Sequence, residues 1–197
     1  KMYDPEYVLI LSGDHIYKME YDKMLQAHKD SGADCTIACM EVPMKEASRF
    51  GILNTNPDGS IYEFEEKPAK PKSNLASMGI YIFSADKLYK YLELDEEDPK
   101  SEKDFGKNIL PAMLNAGEKM MSYRFSGYWK DVGTISSLLE ANMDLLGVAP
   151  KFDLDDQDHV IHSRSPLSPP AYVEGEVINS LVANGSEIEG KIVNSVI

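Results

Sequence analysis

Strand-like and helix-like segments alternate along residues 1–149, and this alternation limits the folds open to the chain. The strand-like runs are rich in β-branched and aromatic residues, whereas the others carry apolar residues at helical spacing. The clearest examples are YVLILS (7–12), YDKMLQAHKDSG (21–32), DCTIACMEV (34–42), ASMGIYIFS (76–84) and ADKLYKYLEL (85–94). The pattern predicts an α/β domain with a mixed, mostly parallel sheet.

Charge and composition exclude several functions. The net charge of −13 over 197 residues argues against binding to nucleic acid or to anionic membranes, which need basic surfaces. We expect no transmembrane span, because no apolar run approaches about 20 residues, and no signal peptide, because the N-terminal KMYDPEY lacks an apolar core. Cys35 and Cys39, four residues apart on a predicted strand, would be too distant for a disulfide. We therefore expect two buried thiols and a cytoplasmic protein.

The amino-acid composition changes after residue 149. Residues 150–172 are rich in Asp, Ser and Pro and lack a clear period, so we predict a linker there. In residues 173–197, INSLV (178–182) and VNSVI (193–197) look like one repeated unit, and Val182 lies six residues before Ile188. A six-residue repeat of apolar positions is typical of a parallel β-helix, in which coils stack on one another. We expect this chain to hold only the first coils of such a domain.

Asp14 follows Gly13 at the end of the apolar run YVLILS. In open α/β sheets, ligands bind beyond the carboxyl ends of the strands, and an acid there is suited to hold Mg²⁺. The same Asp could equally cap the turn or the following helix. The dipeptide alone leaves both interpretations open.

A second acid, Asp131, stands in GYWKDVGT (127–134), again where a predicted strand gives way to a turn. Thr134 could cap the next helix, so this segment also has a purely structural interpretation. Mg²⁺ in phosphoryl chemistry is commonly held by one or two carboxylates and substrate phosphates. Asp14 and Asp131 could therefore meet at one metal ion.

A lysine follows the second of two strands that flank the turn signal NPDGS (56–60). Alternation in YEFEEKP puts Tyr62, Phe64 and Glu66 on one face, with Lys67 on the other, directly before Pro68. A lysine in this place could present its charge to a phosphate. It could also be an ordinary solvated lysine of a charged hairpin.

Six segments, taken in order, resemble the motifs of the sugar-phosphate nucleotidyltransferases. They are LILSGDHIYKMEY, FGILNT, FEEKPAKP, ASMGIYIF, DFGKNILP and YWKDVGT. GDHIYKM and DFGKNILP are most similar to the members that adenylylate glucose 1-phosphate. The resemblance implies a partial Rossmann-like nucleotidyltransferase domain over residues 1–149, followed by the start of a left-handed parallel β-helix at 173–197.

The resemblance also implies roles for individual residues. Asp14 and Asp131 would bind Mg²⁺, the expected cofactor, and act with Lys67 as the catalytic residues. Lys67 would take the phosphate charge, and Glu66 would bind sugar hydroxyls. The residues expected to contact glucose 1-phosphate are Gly51, Glu66, Lys67, Ser77, Asp104, Phe105 and Trp129.

The implied reaction transfers the adenylyl group of ATP to α-D-glucose 1-phosphate, giving ADP-glucose and pyrophosphate for glycogen synthesis. In such enzymes a Gly-rich phosphate loop, the base-reading segments and effector-binding residues precede GDH, and none is present here. We therefore expect a C-terminal portion that is inactive alone. The resemblance implies a homotetramer, or a heterotetramer with a regulatory homologue.

Three alternatives stay open from the sequence. The first is a non-catalytic regulatory subunit, although the presence of Asp14, Lys67 and Asp131 favours a catalytic one. The second is a glucose-1-phosphate thymidylyl- or uridylyltransferase, because the base-reading segment is not in this sequence. The third, a metal-dependent hydrolase, would need a water-activating base that the sequence does not offer.

Overall fold

The structure, a computed structural model, describes residues 3–162, 164 and 167–197. Ser163, Ser165 and Pro166 of the predicted linker lie outside the described residues. Contacts between Cα atoms group the chain into two units. Unit 1 comprises the residues up to Gly13 together with 19–126, and unit 2 comprises 14–18 and 127–197.

The strands are β1 (Tyr7–Ile10), β2 (His15–Tyr17), β3 (Cys35–Glu41), β4 (Gly51–Thr55), β5 (Ile61–Glu66), β6 (Leu75–Ser84), β7 (Met120–Arg124), β8 (Trp129–Asp131), β9 (Tyr172–Ile178) and β10 (Glu187–Val193). The α-helices are α1 (Tyr21–Ser31), α2 (Ala85–Glu97), α3 (Leu110–Asn115) and α4 (Ile135–Met143). A 3₁₀ turn spans Ala47–Arg49, and a π-helical turn spans Phe105–Ile109. No helix within the described part of the chain is both long and apolar enough to cross a membrane.

Unit 1 is built on a mixed sheet with the strand order β5-β4-β6-β3-β7, and β1 also pairs with β6. Among the described strands of this sheet, β3 and β7 are the one parallel pair, whereas β6 runs antiparallel to β1, β3 and β4. The prediction of a mostly parallel sheet is therefore wrong. The hairpin of β4 and β5 and the long antiparallel strand β6 account for the difference, because a helix between two strands does not by itself make them parallel neighbours.

The strand predicted at 7–12 is shorter and more exposed than expected. β1 ends at Ile10, and Leu9 and Leu11 are 40% and 45% exposed. The near-continuous apolar run predicts a fully buried strand, and this prediction is wrong, because β1 pairs on one side only, with β6. Asp14 consequently does not lie at the end of β1 but precedes the short strand β2.

Helix α1 packs through Met24 and His28, and Gly32 ends it in the left-handed conformation at φ 60°. The buried His28 ring has Nδ1 2.8 Å from Thr36 Oγ1 and Nε2 3.4 Å from Ser84 Oγ. Burial lowers the pKa of His28, against the opposing charge of Asp34.

The two cysteines behave as the sequence predicts. Cys35 and Cys39 are both fully buried and free. Burial raises the pKa of both thiols, that of Cys39 to about 12. Neither thiol is therefore poised to react as a thiolate.

In unit 2, β2 and β8 form an antiparallel pair, and Thr134 caps α4 through a reciprocal hydrogen-bonded box with Ser137. The segment ISSLLEANMDLLG predicts a helix that runs to Gly147, whereas α4 ends at Met143. The spacing of its leucines predicts that Leu139 packs inward, and this is wrong, because Leu139 is 60% exposed and the buried residues of α4 are Ser137 and Ala141.

The C-terminal strands β9 and β10 pair in parallel. Ile178 lies opposite Val193, and Leu181 forms a bridge with Val196, so INSLV and VNSVI occupy equivalent places. One parallel pair does not establish a β-helix, which needs stacked coils. The β-helix and the boundaries at 149 and 172 stay predictions.

Candidate functional site

Asp14 and Asp131 lie side by side in unit 2. Asp131 ends β8 opposite His15, the first residue of β2, and the backbone N–H of Val132 donates to the carbonyl of Asp14 at 3.2 Å. Antiparallel pairing thus holds the two acids at one end of the ladder, although they are far apart in sequence.

Gly133 marks the space that both carboxylates face. Its backbone N–H donates to Asp131 Oδ1 at 2.7 Å. A Cβ atom at this position would lie 3.0 Å from Asp131 Oδ1 and 3.6 Å from Asp14 Oδ2. Two carboxylate oxygens of different residues therefore face one point, which a side chain at position 133 would obstruct.

This pair suits a hard divalent cation that completes its coordination with other ligands. Within the described residues, no group of three or more His, Cys, Asp or Glu could hold a metal ion. A closed zinc or calcium cage needs more protein ligands than two carboxylates, whereas Mg²⁺ commonly takes one or two together with water and phosphate oxygens. The donor set fits Mg²⁺ better than either alternative.

Trp129 and His15 lie on the same face of the ladder. The rings meet edge to face, with centroids 5.4 Å apart, and the indole Nε1–H donates to His15 Nδ1 at 3.4 Å. His15 Nε2 lies 3.5 Å from Asp14 Oδ1. Trp129, which the resemblance assigns to the sugar pocket, therefore lies in unit 2 beside the imidazole that follows Asp14.

In unit 1, the carboxylate of Glu66 lies against two glycines. A Cβ at Gly51 would lie 2.9 Å from Glu66 Oε2 and 2.5 Å from the Phe64 ring. A Cβ at Gly106 would lie 2.6 Å from the same Oε2. The backbone of β4 at Gly51 and that of the π-helical turn at Gly106 therefore both approach the Glu66 carboxylate closely, because glycine carries no side chain.

The groups around Glu66 shift its pKa in opposite directions. Partial burial raises its pKa and Asp104 adds to the rise, while the ammonium of Lys67 lowers it. Lys67 Nζ lies 3.7 Å from Glu66 Oε1 and remains 67% exposed. The ammonium is therefore accessible to an anionic ligand.

Lys67 also has an unusual backbone. Its φ is +46°, in the left-handed region, and its N–H donates to the Phe50 carbonyl at 3.1 Å. A non-glycine residue in this region is strained, and such strain is concentrated at ligand sites. The sequence, which puts Lys67 before Pro68, does not reveal this conformation.

Asp104 and Phe105 begin the π-helical turn. The Asp104 side chain accepts from the Lys107 N–H at 2.9 Å and so caps the turn. Phe105 stacks on Tyr81, with ring centroids 5.6 Å apart. Short π-helical turns are frequent at functional sites, and here the turn brings Gly106 to Glu66.

Tyr81 joins this group although its sequence context does not indicate a site residue. Its hydroxyl hydrogen-bonds to Ser77, and burial raises its pKa to about 12, with Glu66 and Asp104 contributing in the same direction. Spacing alone does not predict this contact, because Gly79 at φ 66° and a shift in the pairing with β3 interrupt the regular alternation of β6 between Ser77 and Tyr81. Ser77 is thereby tied to Phe105 through Tyr81.

The structure thus forms two groups of the expected residues. Asp14, Asp131 and Trp129 belong to unit 2. The other group, in unit 1, consists of Gly51, Glu66, Lys67, Ser77, Asp104 and Phe105.

A family model described as nucleotidyl transferase matches residues 1–147. The chain belongs to this family. The nucleotidyl transferase match includes every residue of both groups.

Curated relatives agree with the family. The chain is 60% identical to a protein of Clostridium perfringens, 57% to one of Fusobacterium nucleatum and 56% to one of Desulforamulus reducens. Each is named glucose-1-phosphate adenylyltransferase, and each match covers 99% of this chain. The chain spans about half the length of these relatives, between 49% and 51%.

Proposed function

We propose that the protein transfers the adenylyl group of ATP to α-D-glucose 1-phosphate, forming ADP-glucose and pyrophosphate for glycogen synthesis. The observation that carries the proposal is the meeting of the Asp14 and Asp131 carboxylates at the point beside Gly133. Phosphoryl chemistry needs charge neutralisation and positioning more than a covalent nucleophile, and two carboxylates are suited to that task.

Asp14 and Asp131 would hold Mg²⁺, which when bound neutralises phosphate charge and orients the phosphate oxygens. The Gly133 N–H keeps Asp131 Oδ1 fixed, so the acid is oriented before any ligand binds. A phosphate oxygen of the sugar phosphate attacks the α-phosphorus of ATP, and the bond to the β,γ-pyrophosphate breaks in line. No acyl- or phosphoryl-enzyme intermediate is needed.

The unit 1 residues would bind glucose 1-phosphate. Lys67 offers an exposed ammonium to the phosphate. Glu66 and Asp104 offer carboxylate oxygens to sugar hydroxyls, and the Phe105 ring offers an apolar face to the sugar. Ser77 and Trp129 are proposed as further sugar contacts on the resemblance alone.

Two further expectations belong to this proposal. The parallel pair β9–β10 would start a left-handed β-helix, with the repeats INSLV and VNSVI as successive coils. The protein would assemble as a homotetramer or as a heterotetramer with a regulatory homologue. Size measurement of the full-length protein tests the second expectation.

A regulatory homologue without activity is the main alternative. The close approach of Asp14 and Asp131 supports the catalytic interpretation, because a subunit without chemistry has no need to keep two like charges at one point. A thymidylyl- or uridylyltransferase would share both groups of residues, so only the choice of nucleotide separates it from the adenylyl enzyme.

The test supplies the full-length protein with glucose 1-phosphate, Mg²⁺ and each nucleoside triphosphate, and follows pyrophosphate release. We expect release with ATP and far less with UTP or dTTP. Asp131→Asn keeps the oxygen that accepts from Gly133 but removes the charge, and should lower kcat by at least 100-fold. The exposed Asp158→Asn is the matched control. Full turnover in Asp131→Asn would contradict the proposal.

A further inference from the structure

His15 connects the Asp14 carboxylate to the partly buried Trp129. Its side chain is 13% exposed, with Nδ1 3.4 Å from the Trp129 indole nitrogen and Nε2 3.5 Å from Asp14 Oδ1. Because His15 lies opposite Asp131 in the antiparallel pair of β2 and β8, the two side chains share one face of the ladder. The imidazole is therefore placed between the tryptophan and the paired acids.

The tryptophan determines the tautomer of the imidazole. An indole N–H can only donate, so His15 Nδ1 must accept, and the ring proton of the neutral imidazole lies on Nε2. That N–H is the one near Asp14 Oδ1. The edge-to-face contact of the rings, at 85°, keeps this orientation.

The two carboxylate oxygens of Asp14 consequently have different neighbours. Oδ1 is the oxygen near His15, whereas Oδ2 is the oxygen near the point beside Gly133 that Asp131 Oδ1 also faces. Asp14 is mostly exposed, and an exposed carboxylate without such a contact would sample several rotamers. A contact to Oδ1 restricts the carboxylate and leaves Oδ2 directed at the shared point.

We propose that His15 is a positioning residue that holds Asp14 in the orientation facing Asp131, and that Trp129 acts through His15 by fixing its tautomer. The inference rests on the proposed function, because it assumes that the two acids bind a divalent cation. Residues that orient metal ligands commonly change metal affinity 10- to 100-fold when they are removed.

The test measures binding of Mn²⁺ alone to the full-length protein, using the paramagnetic resonance signal of free Mn²⁺. His15→Phe keeps a ring against Trp129 but has no N–H, and should raise the Mn²⁺ dissociation constant about 10-fold. His15→Gln can present an amide N–H to Asp14 and should restore most of the affinity. Thermal unfolding of both variants checks that each is folded.

Nitrogen-15 NMR of the histidine ring provides a readout that a purely structural role would not change. The wild-type protein should carry the proton on His15 Nε2. Trp129→Phe removes the donor and should let the Nδ1–H tautomer appear, with Mn²⁺ affinity between those of wild type and His15→Phe. A wild-type Nδ1–H tautomer would overturn the inference.

The outcomes separate the inference from the proposal on which it rests. If Asp131→Asn binds Mn²⁺ as tightly as wild type, the paired-acid metal site is wrong. If Asp131→Asn loses Mn²⁺ while His15→Phe keeps wild-type affinity, only the positioning role of His15 is wrong. Electron spin-echo coupling from an imidazole nitrogen to bound Mn²⁺ would make His15 a ligand and would also overturn the inference.

Discussion

The Oε2 atom of Glu66 lies so close to Gly106 that a Cβ on the glycine would stand 2.6 Å from it. The strand β5 and the π-helical turn Phe105–Ile109 therefore meet at this carboxylate. Because the glycine sits in a turn capped by Asp104, the placement of Glu66 depends on the local backbone of another element.

Gly106→Ala should displace the Glu66 carboxylate, because the methyl group and Oε2 cannot occupy the same space. We expect KM for glucose 1-phosphate to rise about 10-fold with KM for ATP little changed, as one charge-assisted hydrogen bond is worth about 1.5 kcal/mol. Steady-state kinetics measure both. In a Glu66→Ala background, Gly106→Ala should have no further effect on KM; an additive effect would mean that the glycine acts by another route.

Gly133→Ala should weaken binding of the divalent cation. The φ of Gly133 is not positive, so alanine is compatible with the backbone, yet its methyl would lie 3.0 Å from Asp131 Oδ1 in the space facing both acids. We expect the Mg²⁺ concentration for half-maximal activity to rise about 10-fold or more. The neighbouring, exposed Ser136→Ala is the control, and an unchanged Mg²⁺ requirement in Gly133→Ala would be inconsistent with this geometry.

Replacing Lys67 by glycine should stabilise the protein relative to alanine, although either replacement should weaken binding of glucose 1-phosphate. Lys67→Ala and Lys67→Gly both remove the ammonium and should raise KM for glucose 1-phosphate, while only glycine relieves the positive φ of +46°. Lys67→Gly should therefore be more stable than Lys67→Ala by about 1 kcal/mol in urea unfolding. Equal stability would show that the backbone at this position is not strained.

His28 should make the free energy of unfolding depend on pH. Its pKa is lowered by burial, so the unfolded chain binds a proton below about pH 6.5 before the folded one does. The free energy of unfolding should fall as pH drops below that value, by up to about 1.4 kcal/mol per pH unit from this group. His28→Gln should flatten the dependence between pH 6.5 and 5, and the exposed His162→Gln should not. If the free energy of unfolding of His28→Gln falls with pH as steeply as that of wild type, groups other than His28 cause the dependence.

The sequence was informative where local chemistry decides the outcome. The NPDGS turn predicts the β4–β5 hairpin, Gly32 predicts the end of α1, and the buried thiols Cys35 and Cys39 follow from their strand. These features depend on backbone conformations and side-chain volumes of neighbouring residues, which a short segment already contains.

Long-range pairing could not be predicted in the same way. The antiparallel partners of β6 and the exposure of Leu9 depend on which strands flank one another, which no single segment encodes. Among the site residues, Asp14 and Asp131 were expected to meet. The roles of Tyr81 and Gly106 emerged only from contacts across elements.

The central claim is that Asp14 and Asp131 share one divalent cation. The most direct measurement is the anomalous scattering of Mn²⁺ in crystals of the full-length protein soaked with Mn²⁺ and a non-hydrolysable ATP analogue. The account predicts a single peak beside Gly133, within about 2.2 Å of a carboxylate oxygen from each acid. A peak ligated by only one of the two acids, or located away from both, would contradict it.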